Sequence, residues 1–288
     1  MSVAEFIYTT VLKPPLLKSM ANKLILTLLP ESVTVENAKI VINNQDPVVS
    51  GALTFGVYEK SEIALMKRVF KPGQVMLDIG ANVGLYTGIG GNIIGSQGRI
   101  FAFEPDPQSL GFLKKTVAAN ALENTEVVNA AASNVNGKTT LYVSTNNRGD
   151  NRLYDNELSD ESFEVDTLRL DDFLEPKGIQ AVDVIKIDVQ GFEGQVIEGM
   201  ENTLKNSSNL QMLMEFWPQG LATAGTDPVE LLNRLESYGL SINELKDNGE
   251  FTAIENKAEF VSRFQGRSYT NLVVLGSNAD IKPTGQGD

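Results

Sequence analysis

The stretch VMLDIGANVGLYT, residues 75–87, decides the fold of this chain. It opens with a short apolar run of the kind that a parallel sheet buries on both faces. Asp78 follows at the carboxyl end of this strand, and Gly80 and Gly84 bracket a tight turn into a helix. In open α/β sheets, ligands bind at that edge. The stretch predicts a strand, a ligand-binding loop and a helix, although taken alone it also fits an ordinary strand-to-helix connection.

The next predicted strand, residues 99–103 (RIFAF), ends at Glu104. A helix-sized segment, residues 85–94, separates it from the first strand, so the two strands and the helix form one βαβ unit. An acid at the end of the second strand suits the two hydroxyls of a ribose, and nicotinamide enzymes have one in the same place. Glu104 therefore predicts a nucleoside-containing ligand without deciding between cofactors.

The loop after the first strand separates the two cofactors. Dinucleotide-binding loops have the pattern G-x-G-x-x-G, whereas this loop reads G-A-N-V-G and Asp78 stands just before it. A carboxylate is unsuited to the place of a pyrophosphate, but it suits the ammonium group of a sulfonium amino acid. The glycines permit a close approach of the ligand to the backbone. The sequence favours S-adenosylmethionine over NAD.

The segment after Glu104 has a structural interpretation. Asp106 predicts the N-cap and Pro107 the first residue of a helix that runs to about Asn120. Residues 126–129 (EVVN) predict the third strand. The loop expected to border the adenine follows this strand and contains Ala130, Ala131 and Ser133.

A fourth buried strand, residues 182–187 (VDVIKI), ends at Asp188. A turn at Gly191 lets a new helix begin, which puts Glu193 in its first turn. Both carboxylates are predicted to face the crevice that the two earlier strand-end acids share. Glu193 has an alternative role, since an acid near a helix N-terminus favours the macrodipole. Lys186 is either a charge partner of Asp188 or an outward-facing strand residue.

A fifth predicted strand, residues 210–215 (LQMLME), ends in Glu215, another acid on the same edge. Trp217, the only tryptophan of the chain, follows two residues later. It is either a platform for a substrate or a core residue. The core is favoured, because large aromatic side chains mostly serve to bury area.

Six sequence blocks make the chain similar to the FkbM family of S-adenosylmethionine-dependent methyltransferases over residues 55–275. The blocks are Y-E (58–59), D-I-G-A-N-V-G-L-Y-T (78–87), F-E-P-D-P (103–107), K-I-D-V-Q-G-F-E (186–193), M-E-F (214–216) and N-L-V-V-L (271–275). The family pattern usually reads K-I-D-V-E-G-x-E, so Gln190 is a departure from it. This departure removes one charge from the crevice and weakens the case for a bound metal ion.

The resemblance implies an α/β, Rossmann-like class I methyltransferase. Its sheet is expected to have seven strands, mostly parallel, in the order 3-2-1-4-5-7-6, flanked by helices and with the last strands antiparallel. The implied reaction is O-methylation of a hydroxyl on a sugar, glycan or glycosylated metabolite. A nucleotide-binding oxidoreductase of Rossmann type and a non-catalytic S-adenosylmethionine-binding scaffold are the alternatives.

The strand-end pattern and the resemblance together give two sets of candidate site residues. The candidate catalytic residues are Asp188, Glu193 and Lys186. The candidate cofactor-binding residues are Glu59, Asp78, Gly80, Asn82, Gly84, Tyr86, Thr87, Glu104, Pro105, Ala130, Ala131, Ser133 and Asp188. No metal ligand is assigned, and a divalent cation held by Asp188 and Glu215 is the rival account.

The composition excludes several classes of site. The formal net charge of −13 argues against a nucleic-acid substrate, because phosphate neutralisation supplies most of that affinity. The chain has no cysteine, which excludes disulfides and thiolate zinc sites, and no histidine, which excludes a histidine base. Carboxylates, lysine, tyrosine and water are left for proton transfer. Because a sugar hydroxyl is a very weak acid, Asp188 or Glu193 is expected to take its proton late, as the new C–O bond forms.

The domain organisation is expected to comprise an N-terminal helical or loop extension (1–55), a methyltransferase domain (56–276) and a disordered tail (277–288). Residues 1–30 are apolar but interrupted by charges and prolines, so no run is long enough to span a bilayer. They also lack the features of a secretory signal, and a cytoplasmic location is expected. Two short amphipathic helices are predicted there, which cap the fold, form a homodimer contact or rest on a membrane surface.

The region between the third and fourth strands is the least regular part of the sequence. Residues 139–143 and 163–165 predict short strands. The polar segment between them, residues 144–160, is either a lid that selects the acceptor or an unconstrained surface loop. Residues 44–54 are also predicted to form a loop.

Overall fold

The structure is a computed structural model that describes residues 25–144, 147–155, 159 and 161–283. The strands in these residues are β1 (Ser32–Val35), β2 (Ala38–Val41), β3 (Val75–Ile79), β4 (Arg99–Phe103), β5 (Thr125–Val128), β6 (Ala131–Ser133), β7 (Gly137–Val143), β8 (Glu161–Arg169), β9 (Val184–Ile187), β10 (Gln211–Phe216), β11 (Ser241–Leu245), β12 (Phe251–Ala253) and β13 (Thr270–Leu275). The helices are α1 (Val49–Thr54), α2 (Lys60–Val69), α3 (Leu85–Ile94), α4 (Pro107–Ala119), α5 (Leu170–Leu174), α6 (Glu193–Gly199), α7 (Glu201–Asn206), α8 (Pro218–Thr223), α9 (Pro228–Ser237) and α10 (Lys257–Ser262).

The largest sheet of the described residues has eight strands in the order β12-β11-β13-β10-β9-β3-β4-β5. The strands from β10 to β5 are parallel, and β13, β11 and β12 pair antiparallel. The α/β class is confirmed, but the prediction of a seven-stranded sheet is not confirmed as stated. The additional edge strand, β12, is the second half of a hairpin with β11 that turns at Gly249, whose φ is +81°.

Side-chain alternation along the central strands separates two hydrophobic cores, one on each face of the sheet. Met76 of β3 and Val184 of β9 belong to the core that also contains helices α2 and α3. Two residues further along each strand, the same face carries Asp78 and Lys186, which are direct neighbours in the register. The face that is apolar in the middle of the sheet therefore becomes charged at its carboxyl edge.

The strand-end acids lie side by side, in the row that follows the last paired residues of the parallel strands. Ile79 pairs with both Phe103 and Ile187. The residues that follow in β3, β4 and β9 are Gly80, Glu104 and Asp188, so these three share the next row. Glu215 of β10 joins this row because Met214 pairs with Ile187. The carboxylates thus converge because their strands end at the same level.

A three-stranded sheet, in the order β6-β8-β7, covers the region that the sequence left irregular. The two predicted short strands exist, and both are longer than predicted. The expected loop at Ala131 and Ser133 is wrong, because these residues form β6, which pairs parallel with β8 and is buried along its length. Small side chains let this strand pack closely against helix α6, and a Cβ on Gly199 would lie 1.9 Å from the carbonyl oxygen of Ser133.

The described part of residues 1–55 contains strands, so the prediction of only helix and loop is wrong there. β1 and β2 form an antiparallel hairpin whose Ile40 is fully buried in the core beside α3. The Val41 amide donates to Thr116 Oγ1 of α4 at 3.0 Å. The predicted loop at 44–54 also includes helix α1. At the start of this helix, Asp46 Oδ1 accepts hydrogen bonds from the backbone amides of Val48 and Val49. Residues 1–24, where amphipathic helices are predicted, lie outside the described residues.

The segment after β13 contributes to the core as far as it is described. Ala279 is buried and packs in the core with Leu275, so the prediction of a disordered tail from residue 277 is wrong for this part. Residues 284–288 lie outside the described residues. In the part of the chain that the structure covers, every helix is too short or too polar to cross a membrane.

Candidate functional site

Two connected cavities open at the carboxyl edge of the parallel strands. The inner cavity lies at the ends of β3, β4 and β9, and the outer cavity lies at the ends of β9 and β10 and the start of β13. Their common boundary is formed by Val49, Tyr58, Glu59, Gly149, Asp188 and Gln190, which line both. The fold thus joins two binding spaces along one row of charged residues.

Most of the candidate residues line the inner cavity. They are Glu59, Gly80, Asn82, Tyr86, Glu104, Pro105, Ala130, Ala131, Lys186 and Asp188. The candidates that do not line it are Asp78, Gly84, Thr87, Ser133 and Glu193. The convergence of Glu104 and Asp188 on one cavity agrees with the prediction, whereas Asp78 is buried and does not line this cavity.

Glu104 is held in place by the backbone on both sides. Its Oε2 accepts a hydrogen bond from the Asn82 amide and its Oε1 one from the Asp106 amide, each at 2.8 Å. Burial raises the pKa of Glu104 to about 8, although these two hydrogen bonds act in the opposite direction. A carboxylate with both oxygens fixed and further lone pairs available is suited to accept hydrogen bonds from a ligand diol.

The turn between β3 and α3 brings backbone to the same place. Gly80, Asn82 and Gly84 all have positive φ, at +80°, +48° and +87°. A Cβ on Gly80 would lie 2.0 Å from the carbonyl oxygen of Asp188, so only glycine lets β3 and β9 approach this closely. Asn82 Oδ1 is buried without a hydrogen-bond partner, which leaves an acceptor unused at the cavity wall.

Lys186 is a buried cation surrounded by acids. Its Nζ is 3.6 Å from Asp188 Oδ2 and 5.5 Å from the centre of the Tyr86 ring. Burial alone would lower the pKa of Lys186, but the nearby carboxylates of Asp188, Glu59, Glu215 and Asp78 raise it above its ordinary value. Lys186 is therefore a charge partner within the site, one of the two roles that the sequence left open.

A single lysine cannot neutralise all of these acids, and their pKa values reflect this. Burial raises the pKa of Glu59 to about 7 and that of Asp78 to about 6, and it raises the pKa of Glu215 well above its usual range. Glu59 accepts a hydrogen bond of 2.5 Å from the Tyr86 hydroxyl. Asp78 accepts one of 2.5 Å from the Thr87 hydroxyl, which explains why Thr87 points away from the cavity.

Glu193 does not face the crevice, so that prediction is wrong. The residue is completely buried, and its Oε1 accepts hydrogen bonds from the amides of Val189 and Gly191. Its Oε2 has no hydrogen-bond partner, and burial raises the pKa of Glu193 to about 7. Glu193 therefore fixes the loop that carries Gln190 through these hydrogen bonds.

Residues 147–155, which we call the strap, contribute to the walls of both cavities. Arg148, Gly149, Asn151 and Leu153 line the inner cavity. Arg148 Nη1 donates to Asp106 Oδ2 at 2.7 Å, and the Tyr154 hydroxyl donates to the Gln190 carbonyl at 2.9 Å. For the described part of the segment 144–160, these contacts do not fit the predicted alternative of an unconstrained surface loop.

The outer cavity combines acids, arginines and aromatic rings. Its lining includes the acids Glu59, Asp150, Asp188 and Glu215, the arginines Arg152 and Arg267, and the rings of Trp217 and Tyr269. Trp217 is buried, and its Nε1 donates to the Gly266 carbonyl at 2.8 Å. The Arg152 guanidinium lies 4.6 Å from its ring, and Gly220 packs so close to the ring that a Cβ there would lie 2.2 Å from it. Trp217 thus lines the cavity as a packed core residue without a free face.

Tyr269 was not among the candidates, although it exposes 58% of its surface beside the outer cavity. A signal for it existed in the sequence. The last strand was expected to be antiparallel, and the first residues of an antiparallel strand lie at the same edge as the last residues of its parallel neighbour. Phe216 pairs with Thr270, which places Tyr269 level with Trp217. The strap residues gave no such signal, because their position depends on long-range contacts.

The inner cavity fits the chemistry of S-adenosylmethionine in three regions. The fixed carboxylate of Glu104 suits a ribose, and the apolar surface of Phe103, Ala130, Ala131, Leu141 and Leu153 suits an adenine. Glu59, Lys186 and Asp188 at the opposite end suit an amino acid with its ammonium and carboxylate groups. The unpartnered acceptor of Asn82 adds a polar contact that the protein itself does not use.

Comparisons with known proteins point in the same direction. A family model described as the methyltransferase FkbM domain matches residues 78–242. The 2-O-methyltransferase NoeI of Sinorhizobium fredii is 32% identical over 150 residues, 46% of this chain and 60% of that protein. The hexuronic acid methyltransferase AglP of Haloferax volcanii is 24% identical over 205 residues, 70% of this chain and 75% of that protein. The chain therefore spans less than two thirds of the length of NoeI.

Among solved structures, methyltransferase FkbM from Methylobacillus flagellatus is similar with a TM-score of 0.42 and 12% identity, covering 90% of this chain and 59% of that chain. The family match covers more than half of the present chain and includes Asp78, Glu104 and Asp188. The oxidoreductase alternative that Glu104 left open is set aside by this match. The chain belongs to the FkbM methyltransferase family, and its cofactor is S-adenosylmethionine.

Proposed function

We propose that this protein is an O-methyltransferase that methylates a hydroxyl of a carbohydrate or glycosylated acceptor. The observation that carries the proposal is the boundary between the two cavities, where Asp188 lines both and lies beside Lys186. A cofactor in the inner cavity and an acceptor in the outer one would meet at this carboxylate. A base is required at that point, and the chain has no histidine to supply one.

The residues that would hold the cofactor follow from their surroundings. Glu104 would accept hydrogen bonds from the ribose, Ala130 and Ala131 would border the adenine, and Glu59 with Lys186 would hold the amino-acid end. When bound, S-adenosylmethionine supplies an electrophilic methyl carbon on a sulfonium. Apart from Lys186, the charged residues assigned to these contacts are acids, in keeping with the positive charge of the sulfonium and ammonium groups.

The outer cavity has the features of a sugar site. Tyr269 offers an exposed ring against which the apolar face of a pyranose can stack. Asp188 and Glu215 accept hydrogen bonds, and Arg267, which is 59% exposed at its side chain, donates them. Pockets of this kind bind through apolar contact and fix orientation through a few polar groups.

Asp188 is the proposed proton acceptor. Its side chain is 21% exposed, and Lys186 Nζ, 3.6 Å away, keeps a positive charge beside it. Removing the proton of a sugar hydroxyl before attack would cost about 1.36 kcal/mol for each unit of pKa difference. Asp188 therefore takes the proton as the C–O bond forms. Holding the hydroxyl and the methyl carbon in line supplies up to roughly 7–11 kcal/mol of the barrier reduction.

The relatives support a carbohydrate acceptor. NoeI is named a 2-O-methyltransferase, and AglP is named a hexuronic acid methyltransferase. These names, together with the negative charge of the chain, favour a glycan over a nucleic acid as the acceptor.

Incubation of the protein with methyl-labelled S-adenosylmethionine and a panel of neutral and uronic-acid oligosaccharides tests the proposal. We expect one glycan class to gain the label on a hydroxyl, as located by product mass and fragmentation. Asp188→Asn should lower turnover by at least about a hundredfold, as expected for loss of a general base, and should reduce the affinity for S-adenosylhomocysteine far less than it reduces turnover. Glu255→Gln, at an exposed acid that lines neither cavity, is the matched control.

Label that appears on no glycan, or only on nitrogen, would contradict the proposal. Turnover that Asp188→Asn leaves intact would reject Asp188 as the proton acceptor while leaving the acceptor class in place. The two results are therefore separable.

A further inference from the structure

One amide group lies between two carboxylates at the boundary of the cavities. Gln190 Nε2 donates to Asp188 Oδ1 at 2.8 Å and to Glu215 Oε1 at 2.9 Å. These two bonds use both hydrogens of the amide. The arrangement joins the end of β9 to the end of β10 through side chains alone.

The backbone holds Gln190 in this position from several sides. Its φ is +52°, a left-handed conformation that a non-glycine residue adopts only when its surroundings require it. The Tyr154 hydroxyl of the strap donates to its carbonyl at 2.9 Å. Glu193 Oε1 accepts from the amides of Val189 and Gly191 on either side. The amide is therefore fixed by the fold and aimed at the two acids.

Two carboxylates that approach one point require a proton, a cation or a hydrogen-bond donor between them. Lys186 lies near Asp188, at 3.6 Å, but it also faces Glu59 and Asp78. An amide donor satisfies both acids without adding charge, and it orients each of them. Within the described residues, no three acidic side chains are arranged as a set of metal ligands.

We propose that the Gln190 amide takes the place that a divalent cation would otherwise fill between Asp188 and Glu215. Gln190 is then a positioning residue, because it fixes the carboxylate of Asp188 toward the acceptor hydroxyl. Methyl transfer by this protein is accordingly independent of divalent cations. The catalytic part of this inference, the positioning of Asp188, rests on the proposed function. The binding part, the replacement of a cation by the amide, rests on geometry alone.

The substitution Gln190→Glu tests both parts, because it is isosteric and exchanges the donor for a third carboxylate. Three acids at one point form a site for a hard cation, with oxygen ligands only. We expect the variant to bind one Mn²⁺ at least about tenfold more tightly than the wild-type protein, measured from the electron paramagnetic resonance signal of free Mn²⁺. Gln265→Glu, at an exposed position, is the matched control and should bind like wild type.

Turnover gives the second readout. Chelator should leave wild-type turnover unchanged, whereas that of Gln190→Glu should fall with chelator and recover with Mn²⁺. Calorimetry with S-adenosylhomocysteine, in the presence of Mn²⁺, gives the control for folding. A variant that binds this ligand has kept the inner cavity, whatever the effect of the added charge on the affinity.

Three results would overturn the proposal: Mn²⁺ binding at this site by the wild-type protein, chelator-sensitive wild-type turnover, or a Gln190→Glu variant with no gain in Mn²⁺ affinity. If no glycan is methylated at all, the proposed function fails, but the Mn²⁺ titration still decides whether the amide replaces a cation.

Discussion

Arg148 of the strap donates a hydrogen bond of 2.7 Å to Asp106, the residue that caps helix α4, and both side chains are almost completely buried. Asp106 Oδ1 at the same time accepts from the Gln108 amide. Asp106 was predicted from the sequence as an N-cap, and this role is confirmed. Its second role, as the anchor of the strap, depends on a residue more than forty positions away, as the separation of 42 shows.

Replacing Arg148 should therefore destabilise the protein. Arg148→Ala leaves a buried carboxylate without its cation, and such a loss costs about 3–5 kcal/mol. The free energy of unfolding, measured by urea denaturation, should fall by roughly this amount. Lys67→Ala is the control, because Lys67 forms an ion pair with Glu36 at an exposed position, and it should change stability by less than about 1 kcal/mol. Equal effects of the two substitutions would contradict the buried anchor.

Cofactor affinity should depend on pH through Glu104. Burial raises the pKa of this carboxyl to about 8. Both of its oxygens accept hydrogen bonds from backbone amides, so the ionised form is the one that is arranged to accept hydrogen bonds from a ribose diol. The association constant for S-adenosylhomocysteine should thus rise with pH, by up to about tenfold per unit below the pKa, and level off above it.

Calorimetry between pH 6 and pH 9 measures this dependence, and binding should release a proton in the lower part of the range. Glu104→Gln should bind more weakly, with a smaller pH dependence. The residual dependence comes from Glu59 and Asp78, whose pKa values burial also raises, to about 7 and about 6. An unchanged pH profile in Glu104→Gln would remove Glu104 from the binding account.

Two glycines should respond in opposite ways to alanine. A Cβ on Gly80 would lie 2.0 Å from the Asp188 carbonyl oxygen, and the φ of +80° is itself unfavourable for alanine. Gly111 lies inside helix α4, and a Cβ on it would have no atom of the rest of the protein within 4 Å. Gly111→Ala should stabilise the protein by about 0.5–1 kcal/mol, because alanine is the better helix former.

Gly80→Ala should in contrast lower the melting temperature and weaken the binding of S-adenosylhomocysteine, since β3 and β9 must move apart to admit the methyl group. Thermal unfolding and calorimetry on both variants measure these effects. A Gly80→Ala variant with native stability would show that the loop relaxes without affecting the strands.

Tyr269 should govern the acceptor and leave the cofactor unaffected. The ring is exposed beside the outer cavity, and the residue is absent from the inner one. Tyr269→Ala should raise KM for the glycan acceptor by about tenfold or more, as removal of an aromatic stacking contact of about 1.5 kcal/mol does. Tyr269→Phe keeps the ring and should stay close to wild type. If Tyr269→Phe raises KM as much as Tyr269→Ala does, the hydroxyl contributes through a hydrogen bond and the stacking account is contradicted.

The central part of the site could be predicted because it follows from strand register. Glu104 and Asp188 each end a buried apolar run, and parallel strands end at one edge, so the sequence alone brings them together. This reasoning does not extend to Glu193. That residue lies in helix α6, and no strand register fixes its direction. Counting residues beyond the end of the strand predicts the position of Asp188, but it does not predict the direction of a side chain in the helix that follows.

The N-terminal hairpin and the strap were missed for a different reason. The four residues of β2 (AKIV) are too few to show a clear alternation, and their place beside α4 depends on partners such as Thr116, 75 positions away. In the strap, polar residues such as Asn151 read as surface, yet its amide donates to Asp106 Oδ2 at 3.2 Å. A polar composition therefore predicts an exposed segment only where no charged group far away in the sequence forms hydrogen bonds with that segment.

Strand β13 lies between β10 and β11 in the sheet, although it follows β11 along the chain. On a ribosome, the hairpin of β11 and β12 therefore emerges before the strand to which it must attach. Until β13 inserts, β10 presents an unpaired apolar edge that can recruit another chain. In this half of the molecule, the order in which the strands are synthesised thus differs from their order in the sheet. We expect this half to be the part that depends most on chaperones during folding.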